Sequence, residues 1–188
     1  PLQQDISLVA GGLVPGQITI NDDNIGSSIG NNDGLANAGE RLELSFALQN
    51  TTAASMRTVS GTISCDNSYV TIQNSAITYG NIAAGATVRN ASPVIVDIAP
   101  SCPDGTPIRL VLQLSSQSGV QYTISEHIIV HNGRMTLVSQ TVIDGQDAAL
   151  DPDETAQLRF VLSNSGSSTL AGLNAELTSA SQFIAITN

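Results

Sequence analysis

At 188 residues, with 41% hydrophobic and only 12% charged side chains, the chain has enough apolar residues to build a core and lacks the charge excess of a disordered segment. Six Lys and Arg against 16 Asp and Glu leave a net charge of −10, which argues against nucleic acid and anionic membrane surfaces, since both are gripped through basic patches. No apolar run of about 18 residues predicts a membrane span, and 3% aromatic residues with no Trp leave little for a sugar-stacking platform.

Residues 1–16 hold one short apolar run, Ile6–Ala10, and then Gly-Gly and Pro-Gly breaks. That pattern predicts an edge strand or the tail of a preceding module. The opening Pro1 reads as a mature product or an excised fragment. Gln17–Asn21 alternates and predicts the first strand of the module proper. The polar, glycine-rich stretch Asp22–Glu40 predicts a long loop. Arg41–Gln49 then sets Leu42, Leu44, Phe46 and Leu48 on one face and Glu43, Ser45, Ala47 and Gln49 on the other, the pattern of a strand buried on one side.

Thr58–Cys65 resumes the alternation, with Val59, Gly61, Ile63 and Cys65 pointing one way, and Tyr69–Ile72 predicts a short strand. Ile77–Gly80 marks another crossing, and Ala86–Ile98 carries Val94-Ile95-Val96 between prolines. Ile108, Leu110, Leu112 and Leu114 keep a clean period of two. After the hairpin at Gln117-Ser-Gly119, Tyr122–Val130 returns with Tyr122, Ile124, Ile128 and Val130 on one face. Seven strands at such spacing, with no amphipathic helix, predict an all-β immunoglobulin-like sandwich.

The chain then repeats itself. Glu40 lies 114 residues before Glu154, and the same offset sets Leu44, Phe46, Leu48 and Asn50 over Leu158, Phe160, Leu162 and Asn164. Ile63, Val70 and Ile72 fall over Leu177, Ile184 and Ile186 without a gap. The expected organisation is therefore tandem: an N-terminal segment 1–16, a complete sandwich 17–131, a joint 132–134, and the first half of a second module, 135–188. Strands are expected there at Met135–Ile143, Thr155–Ser163, Ala171–Ser179 and Phe183–Thr187, with an acidic loop Asp144–Glu154.

The two acidic loops are the candidate sites. The first offers Asp22, Asp23, Asn31, Asp33, Asn37 and Glu40, and the second Asp144, Asp147, Asp151, Asp153 and Glu154. Hard cations such as Ca2+ take six to eight oxygens from carboxylates, amides and carbonyls on such loops, so calcium is the candidate cofactor. Asp, Asn and Gly are equally the residues of ordinary turns, and Glu40 can serve simply to tie backbone amides. Cys65 and Cys102 predict one disulfide in an exported protein, closing about 37 residues and worth about 2–4 kcal/mol, with two buried free thiols as the alternative. No Gly-x-Ser-x-Gly or His-Glu-x-x-His motif occurs, and His127 and His131 have no evident nucleophile partner, so no enzyme activity is expected.

The phrase Asn32-Asp-Gly34, Gly39-Glu40, Leu44-x-Phe46-x-Leu48-x-Asn50, with Thr62-Ile63-Ser64, Tyr69–Ile72, Tyr79–Ile82 and Pro103–Thr106, resembles the Ig-like repeat modules found downstream of gingipain-like peptidase domains in secreted and surface proteins of Bacteroidetes-type bacteria. Ala38 departs from the proline usual there, which Pro152 supplies in the second copy. The resemblance implies a non-catalytic extracellular or cell-surface module, a stalk or adhesive spacer. Its partners would be neighbouring modules or subunits, or a surface glycan or protein. The alternatives are a filament subunit assembled by strand complementation, which would cover the half module, and a carbohydrate- or cell-wall-binding module attached to an enzyme.

Overall fold

The computed structural model describes residues 12–145 and 147–187, so the run Ile6–Ala10 lies outside the described residues. The chain divides into two compact units, Pro1–Asn132 and Gly133–Asn188. Both are all-β, and no helix occurs among the described residues. Unit 1 contains β1 (Leu13–Asn21), β2 (Ala36–Asn37), β3 (Arg41–Asn50), β4 (Met56–Ser64), β5 (Val70–Ile72), β6 (Ala76–Ile82), β7 (Thr87–Arg89), β8 (Val94–Ile98), β9 (Pro107–Ser115) and β10 (Gln121–His131). Unit 2 contains β11 (Met135–Ile143) and β12 (Gln157–Asn164).

Two sheets make unit 1. One runs β1-β3-β8-β5, with β7 also on β3, and the other runs β2-β10-β9-β4-β6. Each strand has one apolar stripe, and facing two sheets is the way to bury both sets of stripes. Leu42, Leu44, Phe46 and Leu48 from β3 are at most 2% exposed. They meet Val59 and Ile63 of β4, Ile108, Leu110, Leu112 and Leu114 of β9, and Ile128 and Val130 of β10 in one core. Burial of each such side chain contributes on the order of 1.5–3 kcal/mol. Gly61 has a steric role: a Cβ there would lie 1.9 Å from the Gln113 carbonyl oxygen, so only glycine lets β4 lie against β9.

The pairing also places the two ends of unit 1. Leu13, the first residue of β1, pairs with Asn50 at the last residue of β3. At the other extremity His131 of β10 pairs in parallel with Asn37, just ahead of β3, and its carbonyl accepts the Ala38 N–H at 2.9 Å. The first and last described strands of unit 1 thus begin and end at opposite ends of β3.

Several expectations change. Among the described residues unit 1 has ten strands, not seven, because short pieces pair where polar sequence gives no alternation. Ala36–Asn37, inside the expected loop, forms β2 on the edge of β10. The expected first strand begins at Leu13 rather than Gln17, with a bulge between Pro15 and Ile18 where Gly16 passes close to Ala47. The expected crossing Ala86–Ile98 is broken into β7 and β8 around Asn90, whose Oδ1 accepts the Phe46 N–H at 2.7 Å.

Among the described residues of unit 2 only β11 and β12 form, and Ala171–Ser179 and Phe183–Thr187 are not strands. Their counterparts β4 and β5 are held by β6, β8 and β9. The counterparts of those three strands would fall past residue 188. An isolated apolar stretch with no ladder partner leaves its backbone to water.

Candidate functional site: the acidic loops

The first loop is tied by two carboxylates that face backbone amides. Asp22, 1% exposed, accepts the Asp33 N–H on Oδ2 at 3.0 Å and the Gly34 N–H on Oδ1 at 3.1 Å. Glu40 accepts the Asn31 N–H on Oε1 at 3.1 Å and the Asn37 N–H on Oε2 at 3.0 Å. Asp33 Oδ1 accepts the Leu35 N–H at 2.8 Å, and Asn37 Nδ2 donates to both Asp33 oxygens at 3.2 Å and to Glu40 Oε1 at 3.4 Å. Gly30 lets the two carboxylates share this small space, since a Cβ there would sit 2.6 Å from Asp22 Cβ and 3.0 Å from Glu40 Oε1.

Of the six residues expected to act together, Asp22, Asn31, Asp33, Asn37 and Glu40 are joined by these bonds. Asp23 belongs to a separate small loop: its Oδ1 accepts the Ile25 N–H at 2.9 Å and the Ser28 hydroxyl at 3.0 Å. That loop closes where Asn24 and Gly30 exchange hydrogen bonds. The Ile25 amide holds the Asp23 carboxyl below its ordinary range. Glu40 moves the other way. Burial pushes its carboxyl up, and the nearby charge of Asp22 adds to this against the amides that favour the ionised form.

Unit 2 repeats three of these bonds. Glu154 Oε2 accepts the Asp151 N–H at 3.0 Å, as Glu40 Oε2 accepts that of Asn37. Ala149 N–H donates to Asp147 Oδ1 at 3.0 Å, as Leu35 does to Asp33. Ala148 N–H donates to Asp144 Oδ1 at 3.3 Å, as Gly34 does to Asp22. The backbone agrees: Gly34 and Ala148 have φ of 72° and 63°, and Gly39 and Asp153 have 90° and 64°. What the second loop lacks is the counterpart of Asp23–Gly30, the separate small loop of the first.

Among the described residues, no three His, Cys, Asp or Glu side chains are grouped so as to hold a metal ion. The arrangement works chemically as a pair of anionic hubs for turn amides. Within the first loop, the buried Asn37 Oδ1 has no hydrogen-bond partner. The sequence marks Asp22 only as an acidic residue at a strand end, and its burial comes from the fold.

The disulfide expected between Cys65 and Cys102 is not formed; both are free. Each sulfur has a local partner instead: Cys65 Sγ accepts the Asn67 N–H at 3.5 Å, and Cys102 Sγ lies 3.9 Å from the Pro103 carbonyl oxygen. Burial pushes the Cys65 thiol up, which makes it a poor nucleophile. His127 is exposed on β10.

These features define an all-β sandwich unit whose acidic loop is a structural turn device. No family model and no curated protein matches the chain.

Proposed function

We propose that this chain is a non-catalytic structural and adhesive module of a bacterial extracellular or cell-surface protein, a stalk segment built from serial Ig-like sandwiches. One observation carries the reading: the described strands of unit 1 begin beside Asn50 and end beside Asn37, at opposite ends of β3, so copies joined through those ends would add length. Load between those ends runs along the strands and shears many hydrogen bonds at once. The order β1-β3-β8-β5 facing β10-β9-β4-β6 supports the immunoglobulin-like assignment, with one departure: β5 and β6 visit their sheets in exchanged order. The resemblance to Ig-like repeat modules of secreted proteins points the same way.

Force spectroscopy on the full chain tests it. Unit 1 is expected to yield in one step of roughly 350–400 Å, the extended length of about 119 residues less the folded span. Gradual peeling without a resolvable step would overturn the load-bearing role.

Assembly by strand complementation has its own support. Leu158, Phe160 and Leu162 of β12 are 41–50% exposed, whereas Leu44, Phe46 and Leu48 at the same register are buried. A peptide with the sequence Ser92–Ala99, spanning β8, is expected to protect β12 amides from exchange, and no protection at millimolar peptide counts against this mode. Calcium is the remaining reading, favoured by the unpartnered Asn37 Oδ1 beside Asp33 and Glu40. Turning that amide over would add an oxygen to the carboxylates. A melting temperature higher in calcium than in chelator supports it, and equal values remove it.

A further inference from the structure

At the end of unit 1 where β1 enters, a groove of about 560 Å3 opens between the β3–β4 connection and the β9–β10 hairpin. Ser55, Met56, Arg57, Gln117, Ser118 and Tyr122 line it, and no acidic residue is among its lining. This is the pole opposite the acidic loop.

Two independent features mark the groove. Thr58, next to the lining residue Arg57, has φ of 51°, a left-handed conformation that is strained for a β-branched residue. The conformation is held by Thr58 N–H donating to Asn81 Oδ1 at 3.0 Å and by Arg57 carbonyl accepting the Gln117 N–H at 2.9 Å. The second feature is the charge beside it. Arg41 pairs with Asp97, Arg89 donates to the Gln17 and Ser45 carbonyls, and Arg109 donates to Ser125 Oγ. Arg57 is the unit 1 arginine with no such partner among the described residues, and it is exposed.

We propose that this groove binds a carboxylated sugar unit, with Arg57 paired to the carboxylate. The proposal gives the adhesive half of the reading above a ligand class and rests on that half, not on the stalk mechanics. A planar guanidinium matches one carboxylate through two hydrogen bonds, whereas a phosphate dianion calls for more positive charge than a single arginine brings. Ser55, Ser118 and the Gln117 amide supply donors and acceptors for ring hydroxyls, and the half-buried Tyr122 adds apolar lining. A neutral sugar would leave the guanidinium unmatched. The net charge of −10 disfavours a long polyanion, so a single acidic residue of a glycan is the fitting occupant.

Titrating the isotope-labelled full chain with glucuronate, with glucose and acetate as controls, tests this by NMR. Shifts confined to residues 52–58 and 116–122 are expected to saturate with a Kd of about 1 mM, a free energy typical of one small ligand. Glucose and acetate are expected to bind at least tenfold more weakly. Arg57→Gln should weaken glucuronate at least tenfold with an unchanged melting temperature, and Arg57→Lys should lose less. Non-saturating shifts up to about 20 mM, equal binding of acetate, or full binding by R57Q would each overturn the proposal. None of these outcomes bears on the force measurement.

Discussion

Asn50 and Asn164 end equivalent strands with the same two hydrogen bonds. Asn50 Nδ2 donates to the Ala54 carbonyl at 2.8 Å and its Oδ1 accepts the Thr52 N–H at 3.0 Å. Asn164 Nδ2 donates to the Ser168 carbonyl at 2.7 Å and its Oδ1 accepts the Gly166 N–H at 3.1 Å. Their surroundings differ. Asn50 is fully buried and also reaches the Ile82 carbonyl at 3.1 Å, whereas Asn164 is exposed. Asn50→Ala should therefore cost unit 1 about 2–3 kcal/mol in urea unfolding, because buried groups lose their partners, and Asn164→Ala less than about 1 kcal/mol.

The two β strands that carry these asparagines give a second matched pair. Leu48 is 1% exposed and Leu162 is 50% exposed at the same register. Leu48→Ala is expected to destabilise unit 1 by about 2–5 kcal/mol, and Leu162→Ala to change stability by no more than about 0.5 kcal/mol. Equal costs would mean that the two faces are covered alike.

Gly61 should tolerate no side chain. Gly61→Ala drives a methyl into the Gln113 carbonyl, so β4 must separate from β9, and a loss above about 3 kcal/mol is expected. Gly85→Ala, with open space around it but φ of 72°, should cost only about 1 kcal/mol. Circular dichroism melts of both variants separate collision from backbone strain.

Glu40→Gln should destabilise unit 1 by about 1–3 kcal/mol at neutral pH, since an amide nitrogen would face a backbone N–H. The pH dependence has a defined sign. Burial holds the Glu40 carboxyl above its ordinary value, so its ionisation opposes folding as pH rises through that raised value. Wild type therefore gains on E40Q as pH falls from 7 toward 4, and the gap measured by urea unfolding should widen.

Asp97 has the opposite sign. Its hydrogen bonds with Arg41 hold the carboxyl below the usual range. The pair contributes stability above about pH 4 that fades as pH falls through the lowered value. Both partners are partly exposed, so a double-mutant cycle with Arg41→Ala and Asp97→Ala should show a small favourable coupling at neutral pH that is gone near pH 2.

The all-β character and the repeat were legible because both rest on local periodicity. Leu42, Leu44, Phe46 and Leu48 alternate, and Glu40 and Glu154 hold their register whatever surrounds them. β2 and the break at Asn90 were not legible, because each exists only where a distant strand supplies hydrogen bonds. The Cys65–Cys102 pairing failed for a related reason: facing the same core does not bring two sulfurs together. The groove at Arg57 left no motif, since it joins residues some 60 positions apart through a strained Thr58.

By itself the sequence determined which residues alternate, where the turns fall, and that one loop-and-strand phrase occurs twice, since these depend on side-chain chemistry read a few residues at a time. Tertiary structure alone decided that Leu48 is buried while Leu162 is exposed, and that the acidic residues face amides. Burial and ladder pairing need partners far along the chain, and in unit 1 β4 and β5 have them, whereas the matching apolar stretches of unit 2 have none among the described residues.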